Sequence, residues 1–432
     1  MATFLNFCNG KLTVGYERRP NLKTCSFGIF VGAGSRNEKP EENGIAHFIE
    51  HMLFKGTAKR SAFDIAKEMD CLGANMNAYT SKTNTVFYVS GLSKHIEKYM
   101  EILSDMLFNS LFKDEDIEKE RGVVLEEIKM YDDDGESVAS DLLNEKYFEG
   151  DPLSRPILGT PETVKSFNAE MIRDFMNRYY YPQNIFIVYV GPTTSPFIYD
   201  MIQTYFASEF KKRGYCNDYK ELPEFKIPET KSVLVTKFDK PFEQANIQIR
   251  FPAFSVADKR SESMGAVVSA LGGGMSSRLF QKIREEQGLV YEIYASGTSI
   301  RGAGYVDIGL ATAPELVPKA IESVREVIED TAKYGFTQEE FEKVKTQREA
   351  SVVYALEGTF DEMRVMGRYY FLLPDEIMTV KKIYEKFEQM TLDDMNKTFK
   401  DIFQKEKATI CYVGKQIDVN LKELFENGGN SN

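Results

Sequence analysis

Apolar and polar residues alternate over Leu12–Tyr16 and again over Ser26–Val31, which predicts two strands. A turn at Gly32–Gly34 follows, and Gly44–Phe54 and Ala62–Leu72 then read as helices. Gly73–Tyr79 is expected to turn into a strand that continues through Thr85–Ser90. Helical periodicity returns over His95–Phe108, Asp116–Tyr131 and Val138–Phe148. Asn184–Val190, rich in β-branched and aromatic residues before Gly191-Pro192, predicts a buried strand, and Ala408–Val413 before Gly414 repeats that pattern. Between these two strands the polar stretch Lys211–Thr230, with Pro223 and Pro228, marks a linker. The expected division is residues 1–212, a linker at 213–229, and residues 230–432.

Each half thus runs strand, helix, strand, long helices, closing strand and glycine, the signature of a duplicated α+β unit of roughly 200 residues. Asn246–Phe251 and Met264–Leu271 take the places of Ser26–Val31 and Gly44–Phe54. The second copy of that helix holds neither His nor Glu.

A chain of 432 residues exceeds what one core organises, in line with two domains. Its net charge of -12 and pI near 5.1 leave no basic stripe for nucleic acid, whereas an acidic surface could attract basic peptides. Cys8, Cys25, Cys71, Cys216 and Cys411 are scattered without a CxxC pair, as expected of reduced thiols in a cytosolic protein. No leader-like segment opens the chain and no run approaches 18 apolar residues, so a soluble cytoplasmic protein is expected.

The chemistry concentrates in His47-Phe48-Ile49-Glu50-His51. On a helix, imidazoles at i and i+4 stack one turn apart and can share a metal ion, and a carboxylate one turn from His47 can take a proton from water. A catalytic zinc needs a third protein ligand and an open position. His95, alone in Ser93-Lys94-His95, reads as an exposed helix start. The stripe Ile117, Glu120, Val124, Glu127 and Tyr131 sets two carboxylates into an otherwise apolar seam, so Glu120 or Glu127 is the expected partner; Glu118, Lys119, Arg121, Glu126 and Lys129 read as solvated.

The chain resembles the pitrilysin and insulin-degrading peptidases, the inverted zincins, and within them the branch of the mitochondrial processing peptidase β-subunit. The resemblance rests on Gly44–Phe54, Asn77-Ala78-Tyr79-Thr80, Glu120-Arg121 through Glu127, Pro156–Thr160 and Ser276–Phe280. It implies two homologous domains, each a mainly antiparallel sheet packed with helices, with a single zinc ion in the first. By the same resemblance His47, His51 and Glu127 are the ligands, Glu50 is the general base, and Glu120 stands behind a ligand and tunes the metal. Asn77, Ala78 and Tyr79 match the edge strand along which an extended substrate adds.

From the letters alone, Arg284 forms a surface ion pair with Glu285 or Glu286, and Tyr291 is core. The resemblance instead makes both substrate-binding, facing the zinc of a second copy in a homodimer that encloses a chamber. Leu271-Gly272-Gly273-Gly274-Met275 lacks the Gly-Lys-Ser/Thr of a phosphate loop and reads as a flexible loop or close helix packing. The acidic run Asp132, Asp133, Asp134 and Glu136 could prefer basic side chains or form a solvated loop. The expected activity is zinc-dependent hydrolysis of peptides or unfolded segments. The rival reading is a catalytically inactive peptidase-like scaffold.

Overall fold

The structure, a computed structural model, describes residues 2–215, 229–238, 242–373 and 376–428. The expected linker, 213–229, lies almost wholly outside the described residues. Its strands are β1 (Thr3–Phe7), β2 (Leu12–Arg18), β3 (Thr24–Val31), β4 (Asn75–Thr80), β5 (Thr85–Leu92), β6 (Ile185–Gly191), β7 (Leu234–Lys237), β8 (Ala245–Pro252), β9 (Glu292–Ile300), β10 (Ala303–Thr312) and β11 (Thr409–Val413). Five helices bear on function: α1 (Ile45–Leu53), α2 (Asp114–Asp132), α3 (Gly135–Tyr147), α4 (Arg260–Gly272) and α5 (Phe360–Leu372).

The chain forms two compact units. The first comprises Met1–Ile128, Arg155–Glu224 and Val352–Ile383; the second comprises Lys129–Ser154, Phe225–Ser351 and Tyr384–Asn432. Each unit therefore recruits a segment from the other half of the sequence.

In the first unit a six-stranded sheet runs β1-β2-β6-β3-β5-β4. All of its pairs are antiparallel except β2 with β6. Both faces are covered, which is why β3 and β6 read as nearly continuous apolar runs. Phe27, Ile29 and Val31 of β3 enter the core shared with α1, while Phe30 points the other way, into a cluster with Met363 and Met366 of α5. There Phe186 stacks on Tyr370 with ring centroids 3.9 Å apart. Gly367 lets α5 approach so closely that a Cβ would stand 2.2 Å from the Phe30 ring. Each large side chain buried in these layers contributes about 1.5–3 kcal/mol.

The second unit's sheet runs β7-β11-β8-β10-β9, again antiparallel except for one pair, β7 with β11. Its one face packs with α4 in the larger core, and its other face meets Val138, Ala139 and Leu143 of α3. Strand for strand, β7, β11, β8, β10 and β9 repeat the order and directions of β2, β6, β3, β5 and β4. The α+β duplication read from the sequence is thus a shared topology.

Two expectations need correction. The strand expected to continue from Gly73–Tyr79 through Thr85–Ser90 is a hairpin, because Ser81 donates its N–H to the Asn84 carbonyl and reverses the chain. Nor are all the thiols reduced. Cys8 is disulfide-bonded, a tertiary pairing that spacing along the chain does not reveal; Cys25, Cys71 and Cys411 are free. Among the described residues, no helix is long and apolar enough to cross a membrane.

Candidate metal centre

Helix α1 buries Ile45, Phe48, Ile49, Met52 and Leu53, and this fixes which way the remaining side chains project. His47, Glu50 and His51, spaced i, i+3 and i+4, share the opposite face. The helix begins at Gly44, whose φ of +96° suits glycine, and a Cβ there would lie 2.5 Å from the Leu158 carbonyl oxygen. Its first N–H groups are capped by Glu38, whose carboxylate accepts from Gly44 N at 2.8 Å, Ala46 N at 2.9 Å and Asn43 Nδ2 at 2.8 Å. Burial pushes the Glu38 carboxyl up to about 7 against the opposing pull of those donors and of Arg155. Sequence reading missed Glu38, since it caps from outside the usual N-cap position.

The rings of His47 and His51 lie 4.7 Å apart. Glu127 Oε2 stands 3.7 Å from Nε2 of each. Among the described residues, His47, His51 and Glu127 form a group able to hold a metal ion, with ligand atoms all within 4.8 Å of one another. Ligands about 2.0–2.2 Å from a tetrahedral zinc stand roughly 3.4 Å apart, and the two 3.7 Å separations from Glu127 lie close to that spacing. The donor set, two imidazole nitrogens and one carboxylate oxygen, also fits zinc.

Glu120 works from behind. Its Oε2 accepts from His51 Nδ1 at 3.0 Å and its Oε1 meets Lys55 Nζ at 2.5 Å. With Nδ1–H donated to Glu120, a neutral His51 carries its lone pair on Nε2, the atom nearest Glu127. Burial alone would raise the Glu120 carboxyl, yet the hydrogen bonds from His51 and Lys55 hold it below the usual carboxylate range. His51 is raised although burial opposes this, because Glu120, Glu127 and Glu50 surround it with negative charge. His47 is lowered to about 4, first by burial and then by His51. Its Nδ1 is buried, with no hydrogen-bond partner among the described residues.

Glu50 is half-buried, and burial raises its carboxyl, with Thr80 and His51 opposing and Glu127 reinforcing. Its Oε2 accepts from the Thr80 hydroxyl at 2.6 Å. Asn77, Ala78 and Tyr79 lie on β4, the outermost strand of its sheet. Ala78 packs towards the core of α1, whereas the Tyr79 ring faces the α5 layer.

On α2 the buried seam is Ile117, Glu120, Val124 and Ile128; Glu127 is half-buried and Tyr131 exposed. Of the expected solvated residues, Arg121 is half-buried, with Nη2 donating to the Phe167 carbonyl. His95 is half-buried at the start of a helix.

In the second unit, the readings of Arg284 as a surface ion pair and Tyr291 as core both fail. Arg284 lies over the rings of Phe280 and Tyr291, at 4.7 and 5.6 Å, and Tyr291 is 71% exposed. Buried Ile283 anchors this segment and turns its neighbour outwards. Gly272 packs closely, since a Cβ there would meet Ala295 N at 2.4 Å. In the acidic run, Asp134 caps α3 through Ser137 N, and Glu136 accepts from Tyr294 at 2.5 Å. These two carboxylates therefore serve local structure.

Comparison with known proteins gives a consistent picture. Residues 13–161 match the family described as insulinase, peptidase family M16, and residues 166–348 match the peptidase M16 inactive domain. An uncharacterised zinc protease of Bacillus subtilis is 34% identical over 401 residues, covering 93% of this chain and 96% of the relative. Another from Streptomyces coelicolor is 32% identical, covering 96% and 90%. A protease from Helicobacter pylori shares the fold with a TM-score of 0.87 at 19% identity, over 96% of this chain and 99% of its own.

Proposed function

Because this chain belongs to peptidase family M16, the insulinase family, we propose that it is a zinc-dependent peptidase acting on peptides or unfolded segments bound in extended form. His47, His51 and Glu127 hold one zinc ion per chain. When bound, the ion supplies Lewis acidity to the attacking water and the scissile carbonyl. The single observation that carries this reading is the convergence of the three ligand atoms beside Glu50 on one face of α1.

The side chains divide the work. His47, lowered to about 4, is a neutral donor at pH 7. Glu120 keeps the His51 ring oriented with Nε2 free to ligate. Glu50, raised by burial, accepts the proton of the attacking water and returns it to the leaving amine. Asn77, Ala78 and Tyr79 lie on the outer strand to which an extended substrate adds by main-chain pairing, which lets one site accept many sequences. Arg284 and Tyr291 contact the substrate and steady the developing oxyanion.

The same reading includes a homodimer, a preference for basic peptides, homologous halves at 1–212 and 230–432, and a cytoplasmic setting. The bonded Cys8 weighs against the last of these.

The test is cleavage of a quenched basic peptide by the full chain. Activity should vanish on chelation and return with zinc. Glu50→Gln should keep the metal and lose about 10²–10⁴-fold in kcat. Zinc binding without cleavage would favour the scaffold reading, and turnover by Glu50→Gln would remove Glu50 from the mechanism.

A further inference from the structure

Thr80 closes β4, and its neighbours fix it from several directions. It pairs with Thr85 at the mouth of the β4–β5 hairpin. The turn that follows is gripped by the segment after β3: Ser35 N donates to the Ser81 carbonyl at 3.1 Å, and Arg36 N to the Lys82 carbonyl at 2.8 Å. Gly34 makes this approach possible, since a Cβ there would lie 2.2 Å from Ser81 O. Ser81 further locks the turn by donating its hydroxyl to Asn84 Oδ1 at 2.6 Å. The backbone beneath Thr80 is therefore held before any substrate arrives.

Side chains alternate along β4. Met76 and Ala78 pack into the core that contains α1, and Tyr79 belongs to the opposite layer. Thr80 accordingly falls on the α1 side, and its Oγ1 donates to Glu50 Oε2 at 2.6 Å. That distance is typical of a hydroxyl bonded to an ionised carboxylate. β-Branching at Thr80 limits its rotamers, so the donor direction is largely preset. Among the described residues, Glu50 Oε1 accepts no hydrogen bond, which leaves one oxygen committed to the strand and the other available for chemistry.

We propose that Thr80 is a positioning residue: its hydroxyl holds one oxygen of Glu50 in place and couples the outer strand of the sheet to the group that moves the proton. The inference rests on the reading of Glu50 as general base. A polypeptide that pairs along β4 is thereby fixed to the same strand that fixes the base, so the substrate backbone and the proton acceptor share one reference frame. A threonine whose only task is packing would be replaced by valine without loss, because the two have nearly the same shape.

The test compares Thr80→Val, Thr80→Ser and Glu50→Gln with the unaltered full-length protein. For each, it measures peptide cleavage at saturating zinc, zinc affinity and thermal midpoint, together with a crystal structure of the metal-free protein. Thr80→Val should lower kcat about 10- to 100-fold, the worth of one hydrogen bond to a charged group, with KM and zinc affinity within about twofold. Thr80→Ser, which keeps the hydroxyl, should recover kcat to within about threefold. In the crystals the Glu50 carboxylate should occupy one rotamer in the unaltered and Thr80→Ser proteins and several in Thr80→Val.

An unchanged kcat in Thr80→Val, or an equal loss in Thr80→Ser, overturns the proposal, as does a single unaltered Glu50 rotamer in Thr80→Val. Absence of cleavage by the unaltered zinc-loaded protein would instead overturn the peptidase reading. The rotamer comparison then still decides whether Thr80 positions Glu50.

Discussion

Two polar clusters occupy the two units, and they are built on opposite principles. In the second unit Arg250, 2% exposed, is matched on every nitrogen: Nε and Nη2 reach the two oxygens of Asp307 at 2.7 and 2.8 Å, and Nη1 reaches Asn144 Oδ1 at 2.7 Å. The Tyr305 ring lies 3.8 Å from the guanidinium carbon. In the first unit Glu50, Glu120 and Glu127 gather around two imidazoles with Lys55 as the paired lysine, and His47 Nδ1 finds no partner among the described residues. A cluster that satisfies itself stabilises the fold. One that leaves negative charge and lone pairs converging on a point is arranged for a cation.

The sharpest way to break this contrast is to unbalance the closed cluster. Arg250→Ala leaves the half-buried Asp307 without its partner and should cost about 3–5 kcal/mol of unfolding free energy, read by denaturant titration, with zinc content of the folded fraction unchanged. If the loss were under about 1 kcal/mol, the bidentate pair would not be a structural centre. If zinc were lost as well, the division of labour between the clusters would be wrong.

The open cluster predicts the reverse. Glu120→Gln keeps the shape of the side chain but removes the charge that Nδ1–H of His51 and Lys55 address. Zinc affinity should fall about 10- to 100-fold, measured by competition with a chelating dye, while the metal-free protein keeps its thermal midpoint within a few degrees. A large drop in that midpoint, with affinity intact, would make Glu120 a structural residue like Arg250.

The two clusters also differed in how far the sequence revealed them. The His47–His51 spacing announces itself because ligands one helical turn apart are neighbours along the chain, and periodicity on Asp114–Asp132 brought Glu120 and Glu127 to notice. Choosing between those two needs contact with α1, which periodicity does not contain. Arg250 with Asp307, Glu38 at the start of α1 and Thr80 beside Glu50 are joined only in the fold, so no local pattern marks them.

The strands showed the same split. β6 and β11, buried on both faces, stand out as apolar runs ending at glycine, whereas β9, Glu-Ile-Tyr-Ala-Ser-Gly-Thr-Ser-Ile, is half exposed and carries small polar residues that blur its period. Nor could composition indicate that α3 and α5 cover sheets belonging to the opposite halves of the sequence.

A third buried group sharpens the comparison from the other side of the first sheet. Glu362, in the first turn of α5, has a fully buried side chain. Glu17 and Arg19 are its charged neighbours; Arg19 binds Glu17 at 2.7 Å and reaches Glu362 only at 3.4 Å, and Val380 N donates from 3.3 Å. Burial, and then the charge of Glu17 and a hydrogen bond between the two carboxyls, raise the Glu362 carboxyl to about 8, with Arg19 and the Val380 N–H opposing. Its ordinary value is 4.5, so between roughly pH 5 and pH 8 the folded chain holds a proton here that the unfolded chain releases. Stability from this group is complete below about 4.5 and is lost as pH rises through about 8. Glu362→Gln stays neutral throughout and should therefore flatten the decline, with a thermal midpoint near that of the parent at pH 5 and a few degrees above it at pH 8. Parallel loss in both proteins across that interval would mean that Glu362 is ionised in the fold and that Arg19, despite its distance, balances it as Asp307 balances Arg250.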